Sequence, residues 1–190
     1  MCIRDRGNHD KACYTGDSTG MNPVASMAID WTANHLEPAY LDFLKNLPYI
    51  IKEDDRCYVH ASAYYPEKWH YVHDGMSAWR CSEASGKVYT FVGHVHQQAL
   101  YYQSSVGKLI SFMPRPGDEV PVGRHRRWVS VAGSTGQPRD GNPKANYALF
   151  DVDNECLYFH RVRYDYQRAA NKVKKFGLPD ALYERLLTGN

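Results

Sequence analysis

The sequence predicts an α/β domain of the α+β kind, with helices first, a succession of short strands after them and two helices at the end. Three observations carry this. Apolar residues recur at helical spacing between Val24 and Leu47. From Tyr49 to Tyr164, short β-branched and aromatic runs alternate with Gly, Pro and Asp turns. After Tyr166 the pattern becomes helical again. That order of elements suits mixed sheets packed together with helices outside.

Taken along the chain, Gly7-Asn8-His9-Asp10 leads into a polar, Gly-bearing stretch that runs to Pro23. Val24, Met27, Ala28, Trp31 and Leu36 then mark one helix. Pro38 suits the first turn of a second, whose apolar face of Tyr40, Leu41, Phe43, Leu44 and Leu47 stops at Pro48. Tyr49–Lys52 and Cys57–His60 flank the charged turn Glu53–Arg56 and predict an antiparallel pair ending at His60. Residues 64–71 are aromatic and irregular, with a short helix expected over Met76–Ala84. Val88–Val92, bounded by Gly93, reads as a buried strand that delivers His94 and His96 into a loop. Further strands are expected at Ala99–Gln103, Leu109–Phe112, Trp128–Ala132, Tyr147–Val152 and Leu157–Tyr164, and helices at Tyr166–Phe176 and Pro179–Leu187.

The chain has 190 residues, 43% hydrophobic and 23% charged, which is enough for one core and excludes global disorder. Twenty-three Lys+Arg against 21 Asp+Glu leave +2, too little to argue for nucleic acid or a membrane surface. No apolar run reaches the ~18–20 residues of a membrane span, and the first residues carry no apolar targeting stretch, so a cytoplasmic protein is expected. Five cysteines, none spaced C-x-x-C, read as free thiols.

Among nine histidines, several fall in three clusters: Gly7-Asn8-His9-Asp10, Val59-His60-Ala61-Ser62 and Gly93-His94-Val95-His96. Each stands where a loop is expected. An Asn amide oxygen and neutral imidazoles are natural ligands for Zn, Mn, Fe or Ni, and two His one residue apart can face one cavity if the backbone between them turns. Any one of these His, taken alone, is more often a hydrogen-bonded surface or core residue than a ligand. Together they are less ordinary, since the first string alone would arise by chance in roughly one chain in a thousand of this length.

These three clusters, in this order, resemble the calcineurin-like metallophosphoesterase superfamily. Ala132–Gly141, followed by Asn146-Tyr147-Ala148-Leu149, is similar to its small bacterial diadenosine tetraphosphatase-like or phosphodiesterase-like group. The resemblance implies a β-sandwich of mixed sheets flanked by helices with two divalent metal ions (Mn, Fe, Zn or Ni) at one edge. It implies a hydrolase that cleaves phosphomonoester, phosphodiester or pyrophosphate bonds of a small molecule, nucleotides included, through a metal-bridging hydroxide. Carried over residue by residue, Asn8, His60 and His94 hold the second metal and His96 the first. His9 serves the leaving oxygen as acid or electrostatic partner, and Asp10 orients His9. Two cations about 3.5–4 Å apart would both activate the nucleophile and neutralise the phosphoryl oxygens. An adjacent carboxylate would fix the tautomer of the acid.

The family pattern also has a D-x-H segment and a G-D-x-x-D-like segment before the Gly-Asn-His-Asp box. Neither is present; Asp5 has no D-x-H around it, and Gly16-Asp17 follows the box and reads as a turn. The expectation is therefore a domain over 7–190 lacking the first strands, with a non-native leader at 1–6, two closing helices at about 166–188, and weak or no catalysis. The rival expectation is a non-catalytic metal-binding or scaffold module of the same fold. Arg139, in its Gly-rich loop, reads either as a phosphate contact or as part of a structural turn. Arg124, His125, Arg126 and Arg127 read as an anion-attracting cluster or a solvated face. Trp69, Tyr71 and His73 could stack on a leaving group or cap the core, and Ser62 lacks the Gly-x-Ser-x-Gly elbow of a triad nucleophile.

Overall fold

The structure is a computed structural model that describes residues 4–190; the first three residues of the expected leader, with Cys2, lie outside the described residues. Its frame is a six-stranded mixed sheet built from β1 (Ile50–Glu53), β2 (Arg56–Val59), β3 (Tyr89–Val92), β4 (Ala99–Gln103), β5 (Leu109–Phe112) and β7 (Trp128–Val131). The spatial order is β1-β2-β3-β7-β4-β5. A second, antiparallel sheet has the order β6 (Glu119–Pro121), β9 (Cys156–Val162), β8 (Ala145–Asp151).

Period-two alternation assigns the two faces of the large sheet. Tyr89, Leu100 and Trp128 join Leu157, Phe159 and Val122 in the core between the sheets. Val92, Ala99, Tyr101, Val129 and Val131 join Ala78 and Cys81 of helix α4 (Gly75–Ser85) on the opposite face. The mixed sheet is thus covered on one side by the small sheet and on the other by a helix, which bears out the expected architecture.

Helices α2 (Pro23–His35) and α3 (Pro38–Asn46) follow the expected bounds closely, each with Pro in the first turn. One α-helix, and a single 3-10 turn at Pro66–Lys68, lie outside the expected elements. Residues Asn8–Thr15 form α1, although they lack an apolar stripe. The Asp10 carboxylate reaches back to accept the Gly7 N–H at 2.7 Å at the helix start, and Gly16 ends the helix in the left-handed region. Ala12 and Cys13 bury against Ile29 of α2, which supplies what the pattern did not. The turn read at Gly16-Asp17 is present, with Asp17 Oδ1 accepting the Thr19 N–H at 3.0 Å. At the far end, α5 (Tyr166–Lys175) and α6 (Asp180–Thr188) close the chain as expected.

Topology positions the functional loops. Strands β2, β3 and β7 are parallel neighbours, with Val59 opposite Val92 and Val92 opposite Val131. Their C-terminal ends therefore lie along one edge of the sheet, where open α/β sheets bind ligands. Three loops leave from that edge, beginning at His60, Gly93 and Ala132. Gly93 N–H donates to His60 O at 2.9 Å, and Ala132 N–H donates to Val92 O at 2.9 Å, so the loops are laced together as they depart.

Candidate functional site

Asn8 and His9 sit on the first turn of α1, and Gly7 caps it. The approach there is close: a Cβ on Gly7 would lie 3.1 Å from His60 Nδ1 and 3.2 Å from Asp10 Oδ2, so a side chain would press on both groups. His94 and His96 both adopt left-handed backbone, φ 61° and 66°, an uncommon state for non-glycine residues. Val95 N–H closes on Gly93 O at 2.6 Å between them. This is the backbone turn needed for two alternate residues to face one cavity.

All seven residues singled out from the sequence (Asn8, His9, Asp10, His60, His94, His96 and Arg139) line a single cleft of about 860 Å³. His60 Nε2 is 3.1 Å from Asn8 Oδ1 and 3.2 Å from His94 Nδ1. Burial holds the pKa of His60 down to about 4. Burial, reinforced by the neighbouring His60, lowers His94 to about 3. Both rings are neutral at pH 7. A single Nε2 proton can satisfy only one of the two facing acceptors, so lone pairs are left crowded; a cation among the three donors removes that conflict. His96 Nδ1–H donates to Gln137 O at 2.7 Å, which leaves Nε2 as the free lone pair, the arrangement usual for a ligating His. Burial lowers the pKa of His96 as well.

The donor set therefore fits one cation. That fit depends on the Asn8 amide, because among the described residues no group of three or more His, Cys, Asp or Glu is arranged to hold a metal ion; a second cation would find only His96 with a free imidazole nitrogen. The carboxylate of Asp10 is committed to Gly7 N–H, and among the described residues it makes no hydrogen bond to His9. It acts on His9 through charge, opposing the lowering of the pKa of His9 by burial.

Arg139 reaches the cleft from the loop after β7, and its N–H donates to His96 O at 3.1 Å. An ion pair between Asp140 and Arg161 of β9, with Arg161 also donating to Asn142 O, anchors that loop. Tyr71 stacks on the His94 ring at 4.2 Å, and Trp69 meets His60 edge-on at 6.0 Å, so both form cleft wall rather than core. His73 lies outside this cleft, in a neighbouring depression with Tyr64 and Arg80. Lys11, Lys68 and Arg185 complete the rim. No sequence signal identifies Arg185, which arrives only because α6 packs back across the edge of the site.

A pH dependence follows from the buried imidazoles. The folded pKa of His60 lies below the unfolded value of about 6.5, so between those values the unfolded chain binds more protons. Stability without metal is expected to be full above pH 6.5 and to fall as pH drops toward 4, by about 3 kcal/mol from His60 alone. Thermal melts in EDTA from pH 7.5 to 4.5 check this, and a shallower profile in His60→Gln, the remaining slope coming from His94 and His96, identifies the group's share.

No protein-family profile matches the chain. A metallophosphoesterase from Sphaerobacter thermophilus superimposes with a TM-score of 0.86 and 34% identity, covering 100% of this chain and 77% of that one. The hypothetical protein PH1004 from Pyrococcus horikoshii OT3 shares the fold, with a TM-score of 0.66 at 17% identity over 99% of this chain and 72% of that one. In sequence, the uncharacterized protein MJ0912 of Methanocaldococcus jannaschii is 31% identical over 195 aligned positions, 99% of this chain and 76% of the relative. The structural match supports a phosphoesterase-type function. The chain belongs to the metallophosphoesterase family.

Proposed function

We propose that the cleft is the active site of a metal-dependent phosphoesterase that hydrolyses phosphomonoester, phosphodiester or pyrophosphate bonds of small molecules, nucleotides included. The observation that carries this reading is the meeting of Asn8 Oδ1 and His94 Nδ1 on His60 Nε2, three neutral donors within 3.2 Å. When bound, a divalent cation (Mn, Fe, Zn or Ni) supplies Lewis acidity at the phosphoryl oxygens and lowers the pKa of water.

In this reading Asn8, His60 and His94 hold one cation, and His96 offers its free Nε2 to a second. Arg139 binds the phosphoryl oxygens, with Lys11, Lys68 and Arg185 adding positive charge that draws the anionic substrate in. His9 donates an N–H to the leaving oxygen, and the negative charge of Asp10 draws a proton toward that ring. The Gly-rich loop Ala132–Gly141 supports placing the chain in the diadenosine tetraphosphatase-like group. The described cysteines are free and buried, which suits the reducing cytoplasm; among the described residues no helix is long and apolar enough to cross a membrane.

The same reading assigns this 190-residue chain little turnover of its own, because among the described residues no carboxylate is grouped with the neutral donors to bridge two metals. With Mn²⁺ added, p-nitrophenyl phosphate and its bis-ester are expected to be hydrolysed near background while Mn²⁺ binds. Robust turnover that disappears in His94→Ala would overturn the low activity, and absence of Mn²⁺ binding would overturn the site itself. A non-catalytic module holding one cation is the second reading, favoured by the all-neutral donor set. Metal stoichiometry separates the two, since the phosphoesterase reading expects a second, weaker ion that His96→Ala removes.

A further inference from the structure

A second cleft, of about 450 Å³, lies between α4 and the β4–β5 hairpin and shares no lining residue with the first. Its volume falls within the range of small-molecule sites. The floor is apolar, formed by Ala78, Tyr101, Leu109 and Val129, and the exposed indole of Trp79 stands on one wall. At one end the first turn of α4 presses on β5, where a Cβ on Gly75 would lie 3.0 Å from Leu109 Cβ. Across the cleft, Arg127 pairs with Glu83 of α4 at 2.7 Å and ties the loop before β7 to the helix.

The electrostatics of that loop are uneven. Arg124 pairs with Asp55 at 2.6 Å and with Glu155 at 2.5 Å, and Arg127 has Glu83. Arg126 lies between them and lines the cleft, and among the described residues it has no carboxylate partner. Its guanidinium is held 4.9 Å above the Tyr102 ring and 6.0 Å from that of Trp128. Stacking orients the group and removes part of its water while leaving its N–H fork unmatched, a state that a bidentate anion completes.

We propose that this cleft is a binding site for a flat aromatic monocarboxylate, with the ring on the Trp79 wall and the carboxylate on Arg126. One unmatched guanidinium suits a monoanion: among the described lining residues Arg127 is taken by Glu83, and His125 is the one further nitrogen base beside Arg126. The site is independent of the phosphoesterase cleft and of the function assigned to that cleft.

The test is amide NMR of the intact labelled chain titrated with 2-naphthoate and, separately, with uncharged 2-naphthylmethanol. Saturable shifts are expected at Ala78, Ser82, Tyr102 and Arg126, with those of Asn8, His60 and His94 unmoved. The carboxylate is expected to bind about tenfold or more tighter than the alcohol, the worth of a charge-assisted hydrogen bond. Arg126→Gln should erase that preference, Arg126→Lys should keep part of it, and Trp79→Ala should weaken both ligands. Equal binding of the two compounds, shifts that map to the His94 cleft, or no saturable shift would each overturn the proposal. The comparison of charged and uncharged probes on the unmodified chain decides the matter even if an Arg126 variant fails to fold.

Discussion

His94→Ala is expected to weaken Mn²⁺ binding by about 100-fold or more, since even loss of a residue that only orients a metal ligand costs 10–100-fold. His94 Nδ1 faces His60 Nε2 at 3.2 Å, and the ring is buried beneath Tyr71. Removal leaves Asn8 and His60 as a two-donor remnant and opens a hollow under the Tyr71 ring. The effect is readable as stability. With Mn²⁺ at 100 times the wild-type Kd, binding adds about 2.7 kcal/mol; a hundredfold weaker site gains only about 0.4. For a chain of this length the Mn²⁺-dependent rise in Tm should shrink by about 5–9 °C. Wild type and variant should then melt alike in EDTA apart from the cavity cost. His125→Ala, remote from the cleft, should retain the full Mn²⁺ shift; an unchanged shift in His94→Ala would remove His94 from the metal site.

Gly133→Ala should be among the most damaging single-methyl additions in the molecule. Gly133 has φ +88°, and a Cβ there would come within 2.7 Å of Asn146 Cβ and 2.8 Å of Gln98 Cγ. Asn146 is buried in β8, and Gln98 is held by donating to Ala132 O and Tyr147 O at 3.3 and 3.1 Å, so neither neighbour can swing away. The strain of left-handed backbone and the overpacking together cost about 3 kcal/mol, or about 6–12 °C in Tm. Function is touched too, because the loop that starts here carries the Gln137 carbonyl that fixes His96 and the backbone of Arg139. Calorimetry measures the first effect. The second predicts that Mn²⁺ and phosphate binding weaken together even where the variant is folded; a variant as stable as wild type would show that the loop can relax.

Much of the fold is legible in the residues. The strands at 99–103 and 109–112 coincide with β4 and β5, because alternation and turn residues bound them on both sides. Proline at the first turn announces α2 and α3. Helix α1 escapes a search for apolar periodicity because capping and two small buried side chains hold it, although Asp10 at the third position and Gly16 at the end are its written signals. Strand β6 has no such signal. Its three residues, Glu119–Pro121, become a strand only by pairing with Cys156–Tyr158 of β9.

The sequence by itself determined the chemical inventory: which histidines and asparagine can donate to a metal, which arginines can meet an anion, and where the chain must turn. Those are properties of side chains and local backbone preference. Tertiary structure decided which of them meet. Parallel pairing of Val59 with Val92 brings His60 and His94 to one edge, left-handed backbone turns His94 and His96 into the same cleft, and α6 returns Arg185 to its rim. It also left Arg126 unmatched between two paired arginines, over a cleft formed by residues far apart in the chain. Such neighbours are chosen by long-range packing, whose free energy is spread over many contacts and is written in no single motif.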